Sequence, residues 1–324
     1  MSPTLLILFQ LVILVPFVAG TLSRRRLGPQ PEFSRRLVRM NLIAFEPLIV
    51  FWATWGLRLD REQIFLPIVG FAIVAAGFFF GRIFAPLLGL SGKRRAVYLI
   101  SASLGNHGFT LCASLCYLWL GEEGLGLAAI FTFYFTPYVF LVIFPYAHSA
   151  ARDSATGDTG SGAPRPMDFL RGFLSWNYLP LYATLLALLL LFTGVERPAW
   201  DLPVVVLLVP TVAAYYLTLG LSFDSRDLNL RALEVGVFAV IKFMLVPAFT
   251  ALCITLVEAT IGAALSPAVR QVLWIMSFAP AATYSVVAAV LYDLDQDYAG
   301  NLFVTNVLIF LFLVLPCLAF QFGA

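Results

Sequence analysis

The stretch Ser103-Leu-Gly-Asn-His-Gly-Phe-Thr110 interrupts an apolar run that extends from Ala96 to Trp119. Gly105 and Gly108 flank Asn106 and His107 where a membrane helix should be most regular. Such a helix loosens, and the backbone groups it frees are tolerated only inside protein or beside a water-filled cavity. The break therefore predicts half of a ligand site. The other half is expected at a second break late in the chain, Phe278-Ala-Pro-Ala-Ala-Thr283.

Composition makes the surroundings a bilayer. The 324 residues are 61% hydrophobic and 12% charged, with a mean hydropathy of +0.92, whereas soluble domains carry about 25% charged residues. The formal charge of +2 is spread over loops, so no nucleic-acid partner is expected. All four cysteines lie in apolar runs. Cys112 and Cys116, four apart on one helix, read as small packing hydrophobes, and no metal or cofactor is expected. The first apolar run has the length of a span and no base before it, so it reads as a helix and not as a cleavable leader. With one intramembrane histidine and no repeated acid motif, the chain does not read as an enzyme. It shows no repeated filter sequence or charged ring of the channel type.

A span needs roughly 20 mostly apolar residues, and ten are read, over 3–22, 40–57, 65–88, 96–118, 125–147, 178–192, 202–223, 232–257, 272–291 and 301–320. Proline lies inside most of them, and neighbouring helices are expected to satisfy the carbonyls it frees. Loops one, three, five and seven carry most of the arginine and lysine, which places them in the cytoplasm with both termini outside, in a multi-pass protein of the plasma (cell inner) membrane. The ninth loop, Tyr292-Asp-Leu-Asp-Gln-Asp297, has no base and is the exception. A Gly/Ser/Pro-rich linker over 148–167 divides the chain into a first repeat, 1–147, and a second, 168–324. Five spans per half forces the halves into opposite orientations. The fold expected is thus all-α and polytopic, with ten transmembrane helices as two inverted repeats of five and broken helices 4 and 9 crossing at the midplane.

Several short motifs, in their order and spacing, resemble the auxin efflux carrier family. They are Leu27-Gly-Pro-Gln-Pro-Glu-Phe-Ser-Arg-Arg-Leu followed by Pro47; Asn106 in its Gly-rich break and then Leu120-Gly-Glu-Glu-Gly-Leu125; Leu219-Gly-Leu-Ser222; Lys242 with Pro247; Ala279-Pro280-Ala281; and Pro316. That family belongs with the bile-acid, arsenite and riboflavin-type transporters and is distantly similar to bile-acid sodium symporters. The resemblance covers nearly the whole chain. It implies a transport domain of helices 3–5 and 8–10 against a scaffold of helices 1, 2, 6 and 7, forming a homodimer through the scaffold. It also implies export or uniport of a small organic anion, a carboxylate or auxin-like compound, without a sodium requirement. The chain departs from the family pattern at Ala113, where a proline is common, at Val38, where an asparagine is typical, and at Glu46, usually aliphatic.

Read by their chemistry, Asn106, His107, Gly105, Gly108, Ala279, Pro280, Thr283 and Tyr284 are the candidate substrate-binding residues. Two half-helix N-termini at the midplane suit a carboxylate. His107 is either a titrating group or a neutral, hydrogen-bonded one. Lys242, deep in the eighth span, costs about 2.5–3.5 kcal/mol on insertion scales; it either neutralises substrate, replaces a coupling cation, or sits in a structural ion pair. Glu46 is read as lining the path, pairing with Lys242 or Arg82, or carrying a proton. Arg82 reads as an interfacial anchor, Asn306 and Tyr134 as interhelical hydrogen-bond groups, and Trp52, Trp55, Trp119, Trp200 and Trp274 as interface residues. The mechanism expected is alternating access. Proton or sodium coupling, and a non-transporting ligand sensor on the same fold, remain as alternatives.

Overall fold

In the computed structural model, which describes residues 3–28, 30–58, 60–156, 179–200, 202–223 and 232–322, the described chain is helical throughout. Its helices are α1 (Pro3–Leu27), α2 (Pro31–Met40), α3 (Glu46–Trp55), α4 (Phe65–Leu87), α5 (Gly92–Ser103), α6 (Cys112–Phe131), α7 (Phe135–Tyr138) and α8 (Phe144–Thr156). They continue with α9 (Leu179–Phe192), α10 (Val204–Ser222), α11 (Ala232–Val240), α12 (Val246–Ile261), α13 (Pro267–Ser277), α14 (Thr283–Leu291), α15 (Gln296–Ile309) and α16 (Leu315–Phe322). Seven helical stretches among the described residues are long and apolar enough to cross a membrane, so the chain is an all-α polytopic membrane protein. Arg165, Arg171, Arg226 and Arg231, which bear on loops five and seven, lie outside the described residues.

Helix boundaries depart from the apolar stretches where charge favours extension. α1 runs on to Leu27, its last turn holding Arg24, Arg25 and Arg26 at the negative end of the helix dipole. α2 begins at Pro31, the position where proline's missing N–H costs nothing. Residues 148–156, expected as linker, extend α8, in keeping with their alanines.

Four prolines shape helices through one device. Five-residue π-turns at Asn41–Phe45, Val139–Ile143, Ile241–Leu245 and Phe310–Val314 each precede a proline by one residue: Pro47, Pro145, Pro247 and Pro316. The residue before each proline donates to the carbonyl five back, Glu46 to Asn41 and Leu315 to Phe310 for example. A proline ring collides with the carbonyl four residues earlier, and widening the turn by one residue moves that carbonyl aside. In the last case the Leu311 carbonyl, five before Pro316, accepts from Gln10 Nε2 at 2.7 Å. A neighbouring helix thus satisfies a group the bilayer could not.

The helices pack in two groups. In one, α1 lies along α10 and α9 along α3, with α10 also touching α2. The α1–α10 contact is close because Gly20 and Gly220 face each other's backbones; a Cβ on Gly20 would reach the Leu221 amide at 2.8 Å. In the other group α4 packs on α5 and α12, α13 on α6 and α12, and α15 on α5, α11 and α14. The α3–α6 contact joins them. α6 is folded: Gly121 adopts φ 65°, ψ −148°, and the chain doubles back so that Gly124 abuts the Cys116 carbonyl.

Connections segregate to two ends. At one, Lys93 pairs with Asp293 at 2.7 Å, Arg94 with Glu234 at 3.1 Å, and the His148 ring lies 6.2 Å from that of Tyr292. At the other, Arg197 pairs with Glu122, Trp55 Nε1 donates to the Val195 carbonyl at 2.8 Å, and Glu62 accepts from the Ser266 amide at 2.8 Å. The acidic ninth loop therefore shares an end with the basic third. Trp52 is buried beside Trp200 with Arg197 over its ring, because the segment after α9 folds over the end of α3.

Candidate functional site

Two interruptions meet inside the second packing group. Residues 104–111 separate α5 from α6, and residues 278–282 separate α13 from α14. They run antiparallel through a bridge between Gly105 and Ala281. The Asn106 amide donates to the Pro280 carbonyl at 2.8 Å, and the Ala282 amide to the Leu104 carbonyl at 3.1 Å. Proline's missing N–H ends α13, and the two loosened backbones satisfy each other. Asn306 of α15 completes the join, its Oδ1 accepting from the Ala281 amide at 2.8 Å.

Gly105 is the tight point of the crossing. A Cβ there would lie 2.5 Å from the His107 ring and 3.0 Å from the Ala279 methyl. Gly108, by contrast, faces open space, with nothing within 4 Å of where its Cβ would be.

Both half-helix C-termini are capped by side chains. Lys242, 3% exposed, donates to the carbonyls of Ala102 (3.5 Å) and Leu104 (3.4 Å) at the end of α5. The Lys242 Nζ thus sits as a donor on the negative end of that helix. Among the described residues no carboxylate reaches Lys242, so of the alternatives open for Glu46 a pair with Lys242 is not formed. His107 Nε2 lies 3.0 Å from the Met276 carbonyl near the end of α13, and Nδ1 lies 2.5 Å from the Tyr134 hydroxyl. A carbonyl only accepts, which assigns the proton to Nε2 and leaves Nδ1 to accept from Tyr134. Both ring nitrogens are committed, and on this geometry His107 braces the crossing.

The N-termini differ from each other. The amides of Leu111, Cys112 and Ala113 at the start of α6 already donate to carbonyls of Gly108 and Asn106. Thr283 and Tyr284, which open α14, have amides with no backbone acceptor. Three buried side-chain atoms around the crossing also lack a partner: Asn106 Nδ2, Asn306 Nδ2 and Thr283 Oγ1. An unmet buried donor costs about 1–3 kcal/mol. Each is a point where a ligand or water would bond. Asn106 Oδ1 is held by the Thr110 hydroxyl, which aims the free Nδ2.

Glu46, 7% exposed on α3, accepts from Tyr215 of α10 and lies within electrostatic reach of Tyr284 of α14. It lies at the seam between the two packing groups and reaches the crossing through Tyr284. Arg82 is remote from it. Tyr215 and Thr110 were not singled out from the sequence, since neither lies at a recognised motif and their partners are set by packing. No known family matches this chain in a scan of family models, and no curated protein matches it.

Proposed function

We propose that the chain is a secondary carrier that moves a small organic anion across the cell membrane by alternating access, within the fold that its likeness to the auxin efflux carriers implies. The observation that carries this reading is the antiparallel crossing of two interrupted helices with unmet donors on Asn106, Asn306 and Thr283. Donors without acceptors favour an anion, and a carboxylate accepts several at once.

The helix inventory supports ten crossings as two inverted repeats of five. To the span-length helices are added α9 and two crossings each broken in the middle, α5 with the start of α6, and α13 with α14. The pairing of α1 with α10 and of α9 with α3 is what exchange of two inverted repeats would produce. On this reading the first packing group is the scaffold and the second the transport domain. The third, fifth, seventh and ninth loops then face the cytoplasm, with Asp293 of the ninth paired to Lys93 of the third.

Lys242 supports carriage without sodium, because its ammonium occupies the carbonyl cluster where a coupling cation would bind. An inside-negative potential favours efflux of an anion by about 2.3 kcal/mol per charge per 100 mV, which suffices without coupling. The buried Glu46–Tyr215–Tyr284 group favours one second reading, proton coupling across the seam. Flux of labelled carboxylates into liposomes holding the purified protein, with and without an imposed potential, tests both. Binding without flux would leave a sensor; flux driven by a pH gradient and abolished in Glu46→Gln would select proton coupling.

A further inference from the structure

A second site lies away from the crossing, at the end of the bundle that carries loop three. A cavity of about 470 Å³ opens between α4, the start of α5 and α8, lined by Phe78, Arg82, Gly92, Arg95, Tyr146 and Ser149 among others. That volume falls within the range of about 300–1,000 Å³ usual for small-ligand sites.

Among the described residues, no carboxylate offsets the charge on this cavity. Of three consecutive bases, Lys93 is taken by Asp293 and Arg94 by Glu234, with the Arg94 guanidinium also 4.1 Å from the Tyr298 ring centroid. Arg95 turns the other way, into the cavity, where Arg82 joins it from α4. Among the described residues neither has a carboxylate within ion-pair distance, and Arg95 Nε is buried with no hydrogen-bond partner. Tyr146 lies within electrostatic reach of both arginines, and its ring is held edge-on by Phe78 at 5.1 Å. α5 begins at this cavity, and its N-cap Ser91 makes no side-chain cap, so its first amides and positive dipole end add to the field. Two guanidinium forks, a phenol and a helix N-terminus form the donor set that a tetrahedral oxyanion accepts from.

The wall beside Arg82 shows the source of that anion. Phe79, Ile83 and Leu87 recur at helical spacing on α4 and are 59%, 43% and 74% exposed, a stripe suited to an acyl chain. We propose that Arg82, Arg95, Tyr146 and the N-terminus of α5 bind a phosphate-bearing anion, the headgroup of an anionic membrane lipid whose chain lies along this stripe. Basic pockets between helices on a cytoplasmic face take such headgroups.

Thermal unfolding and native mass spectrometry of the purified full-length protein test the site with three probes: phosphatidylglycerol, phosphatidylcholine and inorganic phosphate. Phosphatidylglycerol should raise Tm and remain bound, and phosphatidylcholine should do neither. Arg82→Gln combined with Arg95→Gln should weaken phosphatidylglycerol binding about tenfold or more, as loss of two charge-assisted hydrogen bonds requires. Should the double variant fold poorly, Arg82→Gln alone and Tyr146→Phe, each at the cavity wall, should weaken it in part. Stabilisation by inorganic phosphate with nothing added by the lipid would overturn the lipid source while keeping the anion site. Equal effects of the two lipids, or undiminished phosphatidylglycerol binding in the variants, would overturn the site.

Discussion

The backbone amide of Asn106 donates to the carbonyl of Pro280 at 2.8 Å, and this bond joins interruptions from opposite halves of the chain. Its consequence is that the Asn106 side chain is not needed to hold the crossing together. The backbone does that, and Nδ2 is left free for a ligand. Asn106→Ala should therefore lower ligand affinity about fivefold or more, from loss of a buried hydrogen bond worth about 1–3 kcal/mol, with Tm nearly unchanged. Calorimetric titration of a bound carboxylate reads the first and thermal unfolding the second. Wild-type affinity in the variant would place the ligand elsewhere.

The two glycines of the same break should respond in opposite ways. Gly105→Ala puts a methyl 2.5 Å from the His107 ring and should fail to accumulate as folded protein, whereas Gly108→Ala meets open space and should fold. If Gly108 borders the ligand, its alanine variant should bind more weakly while unfolding at the wild-type temperature. Equal yields of the two variants by size-exclusion chromatography would show that the crossing is looser than described.

Lys242 supplies a donor that the crossing uses. Lys242→Ala exposes the Ala102 and Leu104 carbonyls to an empty space, costing about 1–3 kcal/mol. Its Tm should fall and should recover in part as sodium is added, because a small cation can occupy the vacated carbonyls. Wild-type Tm should not depend on sodium at constant ionic strength. A sodium-dependent wild type would remove Lys242 from this role.

Gln10 and Pro316 are coupled through the Leu311 carbonyl. Gln10→Ala in the wild type should cost about 0.5–1.5 kcal/mol, the net worth of one hydrogen bond. In a Pro316→Ala background the helix can reclaim its own carbonyl, and the same substitution should cost less. A double-mutant cycle on unfolding free energies reads the difference. Additive effects would mean that the proline does not free that group.

At the loop-three end, the hydrogen bond and charge of Lys93 hold the Asp293 carboxyl below the usual carboxylate value. The pair's stabilising effect is thus fully present above the usual value near 3.8 and is lost as pH falls through the depressed one. Asp293→Asn should melt slightly below wild type at neutral pH. That gap should close in acid, and also in 1 M salt, where the Debye length is about 3 Å. Asparagine tolerates the φ of 49° at this position as well as aspartate does, so a gap that persists in both would show that the ion pair is not its source.

The places where helices break were legible because the causes are local. Gly105 and Gly108 remove side-chain restraint, Pro280 removes a donor, and neither effect depends on what lies nearby. The π-turns were not legible. Pro16, Pro86 and Pro210 sit inside helices without one, so the proline alone does not decide the outcome. Neighbours that can take the freed carbonyl, as Gln10 does, contribute to it.

The same division runs through the site. Local chemistry was enough to establish a membrane chain, two interruptions, and a buried Asn106, His107, Lys242 and Glu46 that must each meet something. What they meet was settled by packing between segments far apart in the chain. Lys242 reaches the end of α5, His107 joins Tyr134 to α13, and Glu46 turns to Tyr215 and not to Lys242. A buried polar group must be satisfied wherever it lies, and that requirement is written in its residue type. Which partner satisfies it depends on distances of about 3 Å, and only the folded backbone brings two groups that close.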